Sequence, residues 1–75
     1  MTFNALYEST FEVELAGAEL AGLYVSLTAA EERLDRNQLQ ALDRLRSVLY
    51  ENLSVEELES LPGLYTAAAG PGGSA

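Results

Sequence analysis

The chain has 75 residues, 48% of them hydrophobic, and its four basic and twelve acidic residues give a net charge of −8 at pH 7. A chain this short forms at most one small domain, and so acidic a surface does not bind nucleic acid directly or an anionic membrane. Because Cys and His are absent, disulfides, the usual zinc sites and histidine-dependent nucleophiles are excluded, and we expect no enzyme activity, metal or cofactor.

The segment that precedes the first helix alternates in polarity. Residues 10–15, TFEVEL, place Phe11, Val13 and Leu15 on one face and glutamates on the other, which predicts a β-strand. No tight hairpin links this segment to another alternating one, so the pairing of the strand is unassigned. Since an unpaired strand edge attracts a second chain, the pattern favours a two-stranded ribbon across a dimer axis.

The first helix is predicted over residues 18–34. Its main apolar stripe recurs at three- and four-residue spacing and contains Leu20, Leu23, Tyr24, Leu27, Ala30 and Leu34. The opposite face carries small or short side chains, namely Ala18, Ala21, Gly22, Val25 and Ala29. Small residues let another backbone approach closely, so we expect the two faces to pack against the next helix and against the strand or a second subunit. The alternative is that these alanines are solvent-exposed helix formers.

A second helix is predicted over residues 38–52, after a polar turn at residues 35–38 in which Asn37 and Gln40 approximate a capping box. Its apolar stripe contains Leu39, Leu42, Leu45 and Leu49. The two helices then form an antiparallel hairpin, and the fold class is mainly α. One continuous helix is the alternative, but a small chain could not cover the apolar stripe of so long a helix.

A short C-terminal helix is predicted over residues 55–61. Ser54 and Glu57 form a capping box at its start, and Pro62-Gly63 is expected to end it. Its leucines would then fold back over the hairpin as a lid, together with Leu64 and Tyr65. The following residues 66–75, TAAAGPGGSA, have little to bury and predict a disordered tail, which leaves one domain over residues 1–65.

Charged and aromatic residues give further expectations. All four arginines lie between Arg33 and Arg46, and Arg46 projects within the leucine stripe. Its guanidinium therefore either pairs with an acid, Glu31 being the first candidate, or anchors a protein interface.

Tyr24 is expected in the core, and Tyr50 at the edge of the stripe is either a rim residue or a partner contact. The glutamate pairs lack a pocket that would make them catalytic, so we interpret them as solvated.

Together these features predict a small acidic protein–protein interaction or adaptor protein, a homodimer that also binds an unidentified protein. The N-terminus lacks the basic segment of a secretory signal, and the longest apolar stretch is too short for a membrane span, so we expect a cytoplasmic location and no membrane partner. The candidate interface residues are Phe11, Val13, Ala18, Ala21, Gly22, Val25, Ala29, Arg46 and Tyr50.

Two alternative functions stay open. The first is an acidic decoy or inhibitor that occupies the basic site of a nucleic-acid-binding protein, with carboxylates in place of phosphates: Glu8, Glu12, Glu14, Glu56, Glu57 and Glu59. The second is a precursor peptide, since the acidic helix over residues 54–61 followed by a small-residue tail has the layout of a leader peptide.

Overall fold

The structure is a computed structural model that describes residues 1–70, and it is mainly α-helical. Its α-helices are α1 (Phe3–Tyr7), α2 (Gly17–Ala29), α3 (Arg36–Asn52), α4 (Val55–Glu59) and α5 (Leu61–Ala69). A short 3-10 turn, Glu31–Arg33, lies between α2 and α3. None of the helices within the described part of the chain combines the length and the apolar composition that a bilayer span requires.

The predicted strand over residues 10–15 is wrong. Residues 9–16 have no regular secondary structure, and no strand occurs anywhere in residues 1–70. A strand is stabilised by hydrogen bonds to a neighbouring strand, so an alternating segment without such a neighbour does not form one. Before it, Phe3 and Tyr7 lie one turn apart in α1, with ring centroids at 5.5 Å, and the hydroxyl of Thr2 caps that helix.

The predicted hairpin is confirmed and the single long helix is excluded, because the chain leaves the helical conformation at Ala30 (φ −114°, ψ 18°). Near this break, the hydroxyl of Thr28 donates to the carbonyl oxygens of Tyr24 and Val25, at 2.9 and 3.1 Å. Such bonds compete with regular helical hydrogen bonding. The first helix therefore ends at Ala29, earlier than the predicted residue 34.

The second helix of the hairpin begins at Arg36, two residues before the predicted start. Its N-cap is Asp35, whose carboxylate accepts a hydrogen bond from the Gln38 N–H at 2.8 Å, while the Gln38 side chain accepts one from the Asp35 N–H at 2.9 Å. The capping box thus starts at Asp35, and the predicted box at Asn37 is wrong. Aspartate and asparagine are about equally good N-caps, so the capping preference alone does not separate Asp35 from Asn37, and the helix starts at the earlier of the two.

The C-terminal region contains two helices where the sequence predicts one. The predicted capping box is confirmed, since the Ser54 hydroxyl accepts a hydrogen bond from the Glu57 N–H at 3.1 Å. However, α4 already ends at Glu59, and Pro62 lies in the first turn of α5. Proline is tolerated there because the first N–H groups of a helix have no helical acceptor.

Helix α5 extends through part of the predicted tail. It includes residues 66–69, and its C-cap is Gly70, whose φ of 68° is a conformation that favours glycine. Residues 71–75, the rest of the predicted tail, lie outside the described residues.

The core of the protein is formed by α2 to α5. Its buried side chains are Tyr24, Leu42, Leu49, Leu58 and Leu61, and Leu42 is completely inaccessible. The prediction of a buried Tyr24 is thereby confirmed. The predicted lid is confirmed in part, because Leu58 and Leu61 are buried and Tyr65 is half-buried, whereas Leu64 is 49% exposed. Around these residues pack partly buried side chains from the same helices and their connections: Leu20, Ala21, Val25, Leu27, Leu34, Leu45 and Leu53. We call residues 17–70 the helical bundle.

Candidate interaction surface

Residues 1–16, which we call the N-terminal arm, contribute no buried residue to the protein. Every residue of the arm is exposed, although it carries seven large hydrophobic side chains: Met1, Phe3, Leu6, Tyr7, Phe11, Val13 and Leu15. Phe3 is 71% exposed and Val13 is 75% exposed, so the strongest apolar groups of the arm are largely in contact with water. Two of the predicted interface residues, Phe11 and Val13, lie in this arm.

The arm is tethered to the helical bundle near the start of α3. The side-chain amide of Asn37 donates a hydrogen bond to the hydroxyl of Tyr7 at 2.8 Å, and both residues are exposed. An exposed hydrogen bond between neutral groups contributes little net stability, because water competes for both partners. The arm therefore has exposed apolar groups and a weak attachment.

The small-residue face of α2 is largely covered by α5 of the same chain. Ala21, Gly22 and Val25 are half-buried, and a methyl group added at Gly22 would lie 2.7 Å from the hydroxyl oxygen of Tyr65. The glycine thus allows the tyrosine ring to approach the backbone of α2. At Gly22 the neighbour is therefore α5, and not the strand or the second subunit that the sequence predicts for this face. The two ends of the face, Ala18 and Ala29, are exposed.

Two adjacent cavities lie along the N-terminal half of α2, and we call them together the apolar groove. One, of about 370 Å³, is bounded by α2 and α5, and the other, of about 350 Å³, is bounded by α2, the end of α3 and α5. They share Ala21 and Leu61, so they are continuous along the helix. The remaining walls are almost entirely apolar and include Gly17, Ala18 and Ala68.

The second cavity also shows that α2 and α3 are antiparallel. Leu20, near the start of α2, and Leu49, near the end of α3, line it together. About one turn further along α2, Tyr24 contacts Arg46, which lies about one turn earlier in α3, so the two helices run in opposite directions. The groove therefore lies where α2 begins and α3 ends, which is also where the N-terminal arm joins the helical bundle.

Arg46 connects the two helices of the hairpin with the turn between them. Its guanidinium lies 3.6 Å from the carboxylate of Glu31, which confirms the predicted pair, and 3.5 Å from that of Asp43. Its Nε donates to the hydroxyl of Tyr24 at 3.4 Å, and its charge lies 5.8 Å from the centre of the tyrosine ring. The hydrogen bond to Tyr24 raises the pKa of Arg46 above its ordinary value, burial lowers it, and the nearby acids raise it.

Because these contacts are all internal, Arg46 holds the hairpin together and its head group is already occupied. The other candidate on α3, Tyr50, is 52% exposed. The predicted interface residues therefore do not form one surface. Phe11 and Val13 lie in the arm, and most of the small residues of α2 lie along the groove or beneath α5. Arg46 and Tyr50 lie on α3.

Other parts of the surface offer less to a ligand. A hollow of about 710 Å³ lies against residues 28–33, but one continuous stretch of chain forms all of its lining, so no opposing wall encloses a ligand. Within residues 1–70, no three carboxylates come close enough together to hold a metal ion. The acids of the decoy hypothesis lie on the arm and on α4 and are all exposed.

No family model, curated protein or solved structure matches this chain.

Proposed function

We propose that this chain is a small, non-catalytic protein–protein interaction or adaptor protein that self-associates as a homodimer in the cytoplasm. One observation carries the proposal: the N-terminal arm exposes a series of large apolar side chains, while the helical bundle has a core of its own. A soluble monomer rarely exposes a contiguous apolar patch of more than a few hundred Å², and larger patches mark interaction sites.

The free energies that favour and oppose association are of similar size. Phe11, Val13 and Leu15 are 57%, 75% and 41% exposed, so burying the exposed parts of six side chains in a symmetric pair is worth roughly 5–10 kcal/mol. Bringing two chains together costs about 4–15 kcal/mol in lost translational and rotational freedom. The hydrophobic gain of these three residues is thus comparable with the cost of association, and the other exposed apolar residues of the arm can add to it.

The net charge opposes self-association and makes it testable. Two copies that each carry −8 repel one another, and added salt screens this repulsion. A homodimer held by apolar contacts therefore becomes tighter as salt is raised. An acidic decoy bound to a basic protein becomes weaker, because salt screens an attraction.

Size-exclusion chromatography with light scattering at micromolar concentration tests the proposal. We expect a mass of twice the 8.1 kDa of one chain. The double variant Phe11→Asp, Val13→Asp should be monomeric, because these exposed side chains have no role in the core. Glu12→Gln, Glu14→Gln is the matched control in the same segment and should retain the dimer. A wild-type mass of one chain at every salt concentration would contradict the proposal.

A further inference from the structure

Two carboxylates lie beside the walls of the apolar groove, and helix caps fix their positions. The carboxylate of Glu19 accepts a hydrogen bond, at 2.8 Å, from the backbone N–H just before Gly17, which lines the groove. The carboxylate of Glu57 accepts one from the N–H of Ser54 at 3.3 Å, next to Leu53, which lines the same cavity. Both glutamates are exposed, so the groove has negative charge on two parts of its rim.

No positive charge balances these acids at the groove. Among residues 1–70, no positively charged side chain lines it, and α5, which forms much of its wall, contains no charged residue. The arginine nearest in sequence to a groove residue is Arg46, three residues before Leu49. Its guanidinium is held by Glu31 and Asp43, which do not line the groove. The groove is therefore apolar inside and anionic at its rim.

We propose that the apolar groove binds an amphipathic helix of another protein, with an apolar stripe on one face and lysine or arginine on the other. The stripe enters the groove while the basic side chains reach the carboxylates at the rim. This inference rests on the proposed interaction role, not on self-association, and it names the chemistry of the partner.

A helix suits this groove better than an extended peptide. Residues 1–70 contain no strand, so an extended peptide would find no strand edge with which to pair its backbone. A helix forms its own backbone hydrogen bonds and presents apolar side chains at three- and four-residue spacing. The two cavities of the groove join at Ala21 and Leu61, so they offer adjacent positions for such side chains.

No segment of this chain has the chemistry required of the occupant. The chain has no lysine, and α3 is the one α-helix of residues 1–70 that carries arginine. The apolar face of α3 is already used, because Leu42 and Leu49 are buried in the core. A second copy in the groove would also bring its net charge of −8 to an anionic rim, which electrostatic repulsion opposes. The occupant is therefore a different, basic protein.

Titration of the full chain with a fluorescently labelled synthetic helix of leucine and lysine, with its leucines in one stripe, tests the inference. We expect it to bind at least about tenfold more tightly than a peptide of the same composition whose scrambled order has no stripe. A peptide with glutamate in place of every lysine should bind more weakly still. Equal binding of the striped and scrambled lysine peptides would show attraction by net charge alone and would overturn the inference.

A pair of double variants tests whether the acids at the rim act locally. Glu19→Gln, Glu57→Gln removes two charges but keeps both caps, because glutamine also serves in a capping box, and should weaken binding by about fivefold or more. Glu8→Gln, Glu32→Gln removes the same charge from exposed residues outside the groove and should change it by less than about twofold. Equal losses would overturn the inference.

A second pair tests the groove itself without changing any charge. Ala68→Gln extends a polar side chain into the groove and should weaken binding of the striped lysine peptide by about tenfold. Ala67→Gln is the control, since residue 67 is exposed on the same helix but outside the groove, and it should change binding by less than about twofold. Circular dichroism checks that both variants fold, and equal effects of the two would contradict the assigned site.

The outcomes separate this inference from self-association. If the striped lysine peptide fails to bind a wild type that is a dimer, the inference is overturned and the homodimer stands. A wild type that is monomeric yet binds this peptide at residue 68 contradicts the homodimer and supports the inference. If the peptide does not bind but Ala68→Gln dissociates the wild-type dimer, the groove belongs to a second copy and the inference is wrong.

Discussion

The N-terminal arm and the helical bundle are both rich in apolar side chains, yet only the bundle buries them. In the bundle the apolar residues follow the helical period, and each helix satisfies its backbone hydrogen bonds internally before it packs. In residues 10–15 the period is that of a strand, whose backbone N–H and C=O groups need hydrogen bonds to a neighbouring strand. The same hydrophobicity thus produces a core where secondary structure is self-sufficient, and an exposed apolar segment where it is not.

The largest contrast between the two regions should come from truncating a leucine in the core and a phenylalanine in the arm. Leu42 is completely inaccessible, so Leu42→Ala should lower the free energy of unfolding by about 2–5 kcal/mol. Phe11→Ala removes a larger side chain from a solvated site and should change it by less than about 0.5 kcal/mol. Urea unfolding at concentrations low enough to keep the chain monomeric measures both. Equal losses would show that the arm is part of the core.

Two helical glycines probe how tightly the bundle is packed. A methyl group at Gly63 meets nothing within 4 Å, so Gly63→Ala should stabilise the protein by about 0.5–1 kcal/mol through helix propensity. At Gly22 the same change forces Tyr65 to move, at a cost of about 1–3 kcal/mol that offsets this gain. We expect thermal unfolding to show Gly22→Ala less stable than Gly63→Ala by about 1–3 kcal/mol. If both variants gained equally, α5 would not cover α2.

Helix caps extend the contrast to polar contacts. Ser54→Ala and Asp35→Ala each remove a capping side chain from the bundle and should cost about 1 kcal/mol. Thr2→Ala removes the cap of α1, which has no buried residue, so the free energy of unfolding should not change measurably. Denaturant titration of the three variants checks this, and a loss for Thr2→Ala as large as for Ser54→Ala would contradict it.

The smallest expected effect concerns Arg46. Arg46→Gln removes two partly exposed ion pairs and should cost about 0.5–1 kcal/mol. Since the pKa of Arg46 is raised in the folded protein, its contribution is fully present below the unfolded pKa and is lost only as the pH rises through the still higher folded pKa. The difference between wild type and variant should therefore be constant between about pH 6 and pH 9. Thermal unfolding measures this difference. A steep change in it across that pH range would show that another titratable group controls the stability of the hairpin.

The helices and the core were largely predictable from the sequence, because their signals are local. The leucine spacing of α3, the Ser54 capping box and the Arg46–Glu31 pair all follow from side chains that lie one or two turns apart or on facing stripes. The errors arise where a local pattern forms a structure only beside a distant segment, or where one residue type is compatible with two structures. Alternation in residues 10–15 does not reveal whether a neighbouring strand exists, and a proline can either end a helix or occupy its first turn, as Pro62 does.

The candidate surface was predictable in part, for a similar reason. Phe11 and Val13 are exposed apolar residues in the structure, as an interaction site requires, and their pattern alone suggested it. The groove could not be predicted, since its walls come from three helices and depend on α5, whereas the sequence predicts a helix stop at Pro62-Gly63 and a disordered tail from residue 66. Ala68 therefore was not among the candidate residues, although it lines the groove.

Hydrogen exchange of the full-length chain at two concentrations most directly tests whether the arm is ordered by a second copy. In dilute solution the amides of residues 9–16 should exchange rapidly while those of α3 are protected, and concentrating the protein should slow exchange in the arm, with α3 unchanged. Protection of residues 9–16 that is already complete in dilute solution, or absent at every concentration, would contradict the role assigned to the arm.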